Sequence, residues 1–319
     1  MGGLLVLGAS GLLGRAVVDE ARRAGDAPVT GVGRGPGGAG SADRWHELDL
    51  SRASVSTVAD LVASVRPSAI INCVGRTVGD RESLGRANVI TVGVLLEALG
   101  RWAGTPRLLH VGSAAEYAAS AEGTDTREED PLEPQTTYGV TKLAASRLVH
   151  LAIRDGEVDG VVARVFNPLG AGLPESSMPG RAARIIVMAA ATRLDTVTMG
   201  PLESYRDFID TRDIASALLL LARTDRLEHR TVNVASGVAR LARDVVHQIA
   251  VAVGFGGTVV ETASPSPRSG HLAWQRADVS RLTALGWRAN HDLSSSISAL
   301  VASVTPGQTP GPGDASRPG

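Results

Sequence analysis

An α/β fold built on a doubly wound parallel sheet is predicted by three observations. Short runs rich in Val, Leu and Ile recur along the first half of the chain with helix-period stretches between them, the pattern of strands buried on both faces by helices. The first run opens directly into Gly8-Ala9-Ser10-Gly11-Leu12-Leu13-Gly14, a glycine-rich turn between a strand and a helix. Beyond residue 166 the alternation loosens into a Gly-, Pro- and Ser-rich stretch at 170–180, which marks a smaller C-terminal α/β region for substrate binding.

Taken in order, residues 4–7 are the first strand, and helix 15–24 follows with Gly25 as its stop. Glycines 8, 11 and 14 give a tight turn, a close approach of backbone to a pyrophosphate, and a helix N-terminus for the phosphate. Their place after a strand and before a helix is the context such a motif requires, so Gly8, Ser10, Gly11, Leu12, Leu13 and Gly14 are candidate cofactor contacts. The second strand, 28–33, ends in Gly33-Arg34, where an NAD-binding chain carries an acid for the ribose. A guanidinium there suits a 2′-phosphate, so NADP(H) is favoured and NAD(H) is the second choice. Strand 45–50 ends at Asp49-Leu50, beside the expected adenine position. Helix 55–65 leads to strand 69–74, after which Val74 and Gly75 would pass under the cofactor. Helix 82–102 carries Asn88 in an apolar face, and strand 107–112 delivers Ser113. Ligands of such sheets bind beyond the C-terminal strand ends, where Gly8, Arg34, Gly75 and Ser113 all fall.

A polar loop at 121–134 precedes a helix bearing Tyr138 and Lys142, with Thr136 or Thr137 as cap and Gly156 as stop. Strand 160–166 ends in Asn167-Pro168. Helix 181–192, a strand or turn at 204–210, helix 213–224 and a last strand at 231–235 follow. The expected division is a cofactor domain from 1–166 and 207–236, a substrate region from 167–206 and 237–304, and a disordered tail from 305 to 319.

Composition narrows the function classes. At 319 residues, 43% hydrophobic and 20% charged with a formal net charge of -1, the chain is long enough for one large domain or two intimate ones. Arginines matched by acids, and an aromatic content of 3%, exclude a nucleic-acid surface. Cys73 is the sole cysteine and the seven histidines lack ligand spacing, so neither a disulfide nor a metal site is expected. Neither a signal peptide ahead of the first strand nor an apolar run of membrane-spanning length is read from the sequence, so a cytoplasmic protein away from a membrane is expected.

Lys142 is the only lysine; every other basic position among the 32 is arginine. Four residues after Tyr138, it shares a helix face with the phenol. An ammonium beside a phenol lowers a pKa that starts near ~10 and suits the tyrosine to proton transfer near neutral pH. Arginine, larger and more diffuse in charge, is no substitute. An isolated Tyr-x-x-x-Lys is otherwise an exposed helix pair, so the decision rests on the rest of the site.

The glycine turn, Asp49-Leu50, Asn88, Ser113 placed 25 residues before Tyr138, Tyr-x-x-x-Lys, Arg164-Val165-Phe166-Asn167-Pro168, Arg206-Asp207-Phe208-Ile209-Asp210, and Arg268 ahead of Asp278 together resemble the extended short-chain dehydrogenase/reductase family of NDP-sugar epimerases, dehydratases and reductases. The resemblance covers nearly all of residues 3–303 and implies a Rossmann-type fold. Ala114-Ala115 stand where sugar 4,6-dehydratases carry an Asp-Glu pair, which disfavours that elimination. The segments 111–117, 128–134 and 200–208 look more like GDP-6-deoxy-4-ketohexose reductases. The implied chemistry is NAD(P)H-dependent reduction of a sugar-nucleotide ketone: Tyr138 donates the proton, Ser113 orients the oxygen, Lys142 holds the nicotinamide ribose, and Asn167, Arg206 and Arg268 hold the diphosphate. An NAD(H)-retaining epimerase is the alternative, with a non-catalytic cofactor sensor ranked last. Apolar positions on helices 82–102 and 138–154 imply a homodimer. If Arg34 reads a 2′-phosphate, titration will show NADPH binding more tightly than NADH and Arg34→Ala weakening only NADPH; equal affinities in the unmodified protein refute the assignment.

Overall fold

The computed structural model describes residues 3–25, 28–35, 42–262 and 272–305; Arg268 and the expected tail from 306 lie outside them. The chain runs β1 (Leu4–Leu7), α1 (Leu12–Arg23), β2 (Val29–Gly33), β3 (Arg44–Glu47), α2 (Val55–Val65) and β4 (Ala69–Asn72). It continues through α3 (Arg81–Gly85), a π turn (Arg86–Ile90), α4 (Thr91–Gly100), β5 (Arg107–Ser113), α5 (Thr137–Arg154) and β6 (Asp159–Val165). The remainder is β7 (Asn167–Leu169), α6 (Met178–Thr192), β8 (Thr196–Thr198), β9 (Tyr205–Asp210), α7 (Thr211–Arg223), β10 (Thr231–Val234), β11 (Ala239–Leu241), α8 (Ala242–Val253), β12 (Thr258–Val260), α9 (Ser280–Ala284) and α10 (Leu293–Val304).

Seven strands form one parallel sheet in the order β10-β6-β5-β4-β1-β2-β3. The order reverses between β1 and β4, the place where a crevice opens in doubly wound sheets. Strand periodicity explains why both faces are covered. Leu4 and Val6 join a core with Val17, Val18 and Ala21 of α1 and Leu218 and Leu221 of α7. Leu5 and Leu7 point the other way, into a core with Val58 and Val62 of α2 and Leu95 and Leu99 of α4. Successive residues of a strand face opposite sides, so a run of four apolar residues serves two cores.

A separate core gathers Leu169, Ile186, Val197, Met199, Leu202, Val245, Ile249 and Leu300. Around it lie a three-stranded sheet, β11-β9-β7, and a two-stranded sheet, β12-β8. Leu12, at the start of α1, packs against this core while Leu13 packs against the first, so the glycine turn touches both.

The structure departs from the sequence reading in three respects. α1 begins at Leu12, not at residue 15, so Leu12, Leu13 and Gly14 are its first turn. The helix expected over 82–102 is divided into α3, the π turn and α4, because one extra residue per turn is inserted at 86–90. That continuous stretch, Arg81–Gly100, has mean hydropathy 1.2 and is long and apolar enough to cross a membrane, contrary to the expectation that no run reaches that length. Its Leu95, Ala98 and Leu99 face the core beside β4 and α2, as a helix covering a sheet requires.

The packing of α1 on the turn after β1 leaves no room for a side chain at Gly14. A Cβ at Gly14 would lie 2.2 Å from the Gly8 carbonyl oxygen, while one at Gly100 would meet nothing within 4 Å. Gly14→Ala is therefore expected to lose roughly 1–3 kcal/mol in denaturant melts, the scale of overpacking. Gly100→Ala, at a helix end, serves as the control and will be neutral or stabilising; equal behaviour of the two variants would refute the steric account.

Candidate active site

The site begins at the N-terminus of α1. Gly8 adopts φ +75°, and a Cβ on it would approach the backbone of Cys73 and Val74 to 3.0 Å, so glycine is what lets the turn lie against the end of β4. Gly11 caps α1 without a side-chain hydrogen bond, and no acid occupies the first turn. Among the described residues no carboxylate or hydroxyl caps the first amides of the helix, and together with the helix dipole they form a cradle for an anion. Next to it, a Cβ at Gly33 would fall 2.7 Å from Ser10 Oγ; the missing side chain makes space for the serine hydroxyl beside the end of β2. Arg34 follows there and is exposed. Asp49 accepts hydrogen bonds from Ser51 Oγ at 2.7 Å and from Ser51 N at 3.0 Å. Its carboxyl is held below the usual range chiefly by the Ser51 hydroxyl, with a smaller pull from Arg34. Leu50 is buried in the core under α2, and Val74 packs against the same core.

Asn88 sits on the π turn with almost no exposure. Its Oδ1 accepts from Arg76 N at 2.7 Å, and its Nδ2 donates to Arg76 O at 3.0 Å and to Thr141 Oγ1 at 2.9 Å. Thr141 in turn donates to the Tyr138 carbonyl at 2.8 Å. The asparagine therefore ties the segment after β4, where Gly75 lies, to the first turns of α5. A Cβ on Gly75 would sit 3.3 Å from Asn88 Oδ1, which keeps that segment close. Beneath, His110 accepts from Asn72 Nδ2 at 3.3 Å, and burial holds its ring well below the ordinary pKa, in the neutral form.

Ser113 ends β5 and is buried; its Oγ accepts from Ala115 N at 3.1 Å. Helix α5 starts one loop later, with Thr136 Oγ1 accepting from Gly139 N at 3.0 Å. Tyr138 is half-buried in that first turn. A Cβ at Gly139 would lie 2.3 Å from the Ala115 carbonyl oxygen. The first turn of α5 therefore rests on the backbone just past Ser113, and the contact lies two residues after the serine and one after the tyrosine. One turn further, Lys142 is buried and its Nζ donates to Val111 O at 2.6 Å. Burial lowers its pKa to about 8, with Glu116 and Cys73 acting in the opposite direction.

Of the residues expected to hold a diphosphate, Asn167 on β7 and Arg206 on β9 lie on paired strands. Asn167 Nδ2 donates to Asp207 O at 3.0 Å and to Gln275 Oε1 at 2.9 Å. Both amide hydrogens are taken up by protein acceptors, which leaves the amide oxygen, an acceptor suited to a hydroxyl more than to a phosphate. Arg206 donates to Tyr205 O at 2.7 Å and Leu272 O at 2.8 Å, and burial lowers its pKa to about 10. A cavity of about 530 Å³ lined by Ser120, Asp125, Thr126, Arg127 and Asp130 lies along the loop after β5, and Ser113, Tyr138 and Lys142 are not among its walls.

Three polar residues escaped the sequence reading. Glu116 is buried beside Ser113 and closes a Ser-x-x-Glu capping box with it, a pattern visible in the sequence. Thr141 and Gln275 carry no such signal, since their partners are 53 and 108 residues away. No group of three or more His, Cys, Asp or Glu positioned for a metal occurs among the described residues.

Residues 4–235 match the NAD dependent epimerase/dehydratase family. The dTDP-6-deoxy-L-talose 4-dehydrogenase (NAD(P)(+)) of Kitasatospora kifunensis is 33% identical over 298 residues, covering 92% of this chain and 93% of that protein. The GDP-6-deoxy-D-mannose reductase of Pseudomonas aeruginosa is 25% identical over 250 residues, 74% of this chain and 80% of its own length. Among solved structures, RMD from Pseudomonas aeruginosa complexed with NADPH superposes with a TM-score of 0.80 at 25% identity, covering 96% of this chain and 99% of the other.

Removing the Asn88 amide would take a partner from the buried Thr141 hydroxyl and from the amide and carbonyl of Arg76. Asn88→Ala is expected to cost about 1–3 kcal/mol in denaturant melts, the range for buried groups left without partners; an unchanged midpoint would show that water replaces the clamp.

Proposed function

Because the chain belongs to the NAD-dependent epimerase/dehydratase family, we propose that it is a ketoreductase that uses NADPH to reduce the C4 ketone of a nucleotide-linked 6-deoxysugar. The observation that supports this reading is the position of Ser113 at the end of β5 and of Tyr138 and Lys142 on α5, at the sheet end where α1 also begins. A relative named for oxidation at C4 of a 6-deoxysugar nucleotide supports the substrate class, since oxidation and reduction at one carbon are the same reaction in two directions.

The cradle fits a dinucleotide. Glycines 8, 11 and 14 admit backbone where a Cβ would collide, the first amides of α1 receive a phosphate, and Ser10 and Arg34 flank the place of an adenosine ribose bearing a 2′-phosphate. Bound there, NADPH supplies the hydride. Asn88 holds the segment through Val74 and Gly75 in place beneath it.

Tyr138 gives its proton to the sugar oxygen as the ketone carbon gains hydride, so that carbonyl, hydride and proton become one secondary alcohol. Ser113 Oγ already accepts from Ala115 N, which leaves its own hydrogen to donate to the same oxygen and fix its orientation. Lys142, charged below about pH 8, stabilises the phenolate left on Tyr138. Ala114 and Ala115 offer no carboxyl for dehydration. Asn167 Oδ1 accepts from a sugar hydroxyl. Ile90, Val140 and Leu151 stand 57%, 53% and 44% exposed on the π turn and α5, an apolar face suited to pairing two copies in a homodimer.

With a 4-keto-6-deoxysugar nucleotide, NADPH absorbance is expected to fall one-for-one with product; an epimerase would interconvert sugars without net consumption. General acid catalysis is typically worth ~10²–10⁴ in rate, so Tyr138→Phe will lower turnover by about that factor while NADPH binding survives. Near-normal turnover of Tyr138→Phe would remove the tyrosine from the chemistry.

A further inference from the structure

The proton donor and its lysine account for one side of the site, yet the most completely buried acid near them has no part in that scheme. Glu116 has no exposed surface. Its Oε1 accepts from Ser113 N at 2.8 Å and from Ser146 Oγ at 2.9 Å, and its Oε2 accepts from Arg164 Nε at 3.1 Å. Ser113 lies two residues beyond Val111, whose carbonyl receives Lys142 Nζ. Ser146 lies one helical turn beyond Lys142 on the same face of α5. The carboxylate and the ammonium are therefore tied to neighbouring positions on the same strand and the same helix. Gly112 is small for the same reason: a Cβ there would come within 2.8 Å of Glu116 Oε1.

We propose that Glu116 is a positioning residue, a buried carboxylate that fixes the backbone of Ser113 and keeps Lys142 charged. A lysine enclosed by protein loses its proton easily unless an anion stands near it. The groups that face Lys142 are Cys73 after β4, His110 and the Val111 carbonyl on β5, and Glu116 after β5, with Tyr138 one turn earlier on its own helix. His110 is neutral, and burial pushes the Cys73 thiol up to about 12, so Glu116 is the carboxylate that supports the ammonium. Arg164 is shared with the Tyr117 hydroxyl at 3.0 Å and the Glu128 carbonyl at 3.0 Å, and through them the carboxylate is braced against β6 and the loop after β5.

The chain's single lysine makes the test direct. Protein grown on 13C-labelled lysine gives one Cε resonance, whose pH titration reports Lys142 without assignment. The unmodified protein is expected to titrate near 8. Glu116→Gln keeps the shape and removes the charge, and its midpoint will fall by at least one pH unit, within the ~1–3 typical of a lost opposite charge; Glu116→Asp, which keeps the charge, will stay near the unmodified value. The alkaline limb of turnover will move with the resonance, whereas a purely structural role would lower the melting temperature and leave the midpoint in place. If Glu116→Gln does not fold, Gly112→Ala asks the same question by pushing the carboxylate aside, and the midpoint will again fall. An unmoved midpoint in the folded variant overturns the proposal. The turnover arm rests on the ketoreductase reading, but the resonance needs no substrate: a shifted midpoint without turnover of any keto sugar nucleotide would refute that reading and leave this one standing.

Discussion

The contact on which the site depends is the seating of Gly139 on the carbonyl of Ala115. It fixes the distance between β5 and α5 at the point where the strand gives way to its loop. A side chain at 139 would need the space held by that oxygen, and the helix would stand off from Ser113. Everything downstream on α5 inherits the placement: Tyr138 beside the seat, Thr141 reaching Asn88, Lys142 reaching Val111, and Ser146 reaching Glu116. Close backbone approach is a steric permission that only glycine grants at such a spot.

Charge is arranged around this seat at considerable cost. Lys142, Glu116 and Arg164 are all buried, and ions removed from water are stabilising only when their partners are well placed. Glu116 has three donors and Arg164 has carboxylate, phenol and carbonyl acceptors, so each charge is matched. Lys142 is supported less fully, which is why its proton is held more loosely than that of a surface lysine. Below about pH 8 the folded protein must carry this charge in a dry place; as the pH rises from there toward the free-lysine value, that burden on stability is relieved.

Much of this was legible in the chain. The short apolar runs and the glycine turn specify the sheet and its first crossover, and α2 occupies the residues its pattern marks. Tyr138 and Lys142 announce themselves through spacing and through the absence of other lysines. Local signals fail where long-range partners decide. The bend at 86–90 follows from packing Asn88 between the β4 segment and Thr141, and nothing in Arg-Ala-Asn-Val-Ile demands it. Asn167 was read through its family motif as a phosphate ligand; its bonds to Asp207 and Gln275, 40 and 108 residues away, carry no local signal. Glu116 lies between these cases: its capping box is written in four consecutive residues, while its partners on α5 and β6 are not.

The π turn makes one part of this site depend on chain length more than on residue identity. A residue advances about 100° around a helix axis, so the single extra position at 86–90 sets the angular phase of everything before it relative to α4. Shortening the segment by one residue would leave an ordinary, intact helix whose asparagine points elsewhere. The fold would tolerate the deletion, since α4 keeps its buried leucines, and the loop carrying Gly75 would lose its tether. An insertion or deletion here is thus a mutation of function without a change of composition, invisible to any comparison that scores residues alone.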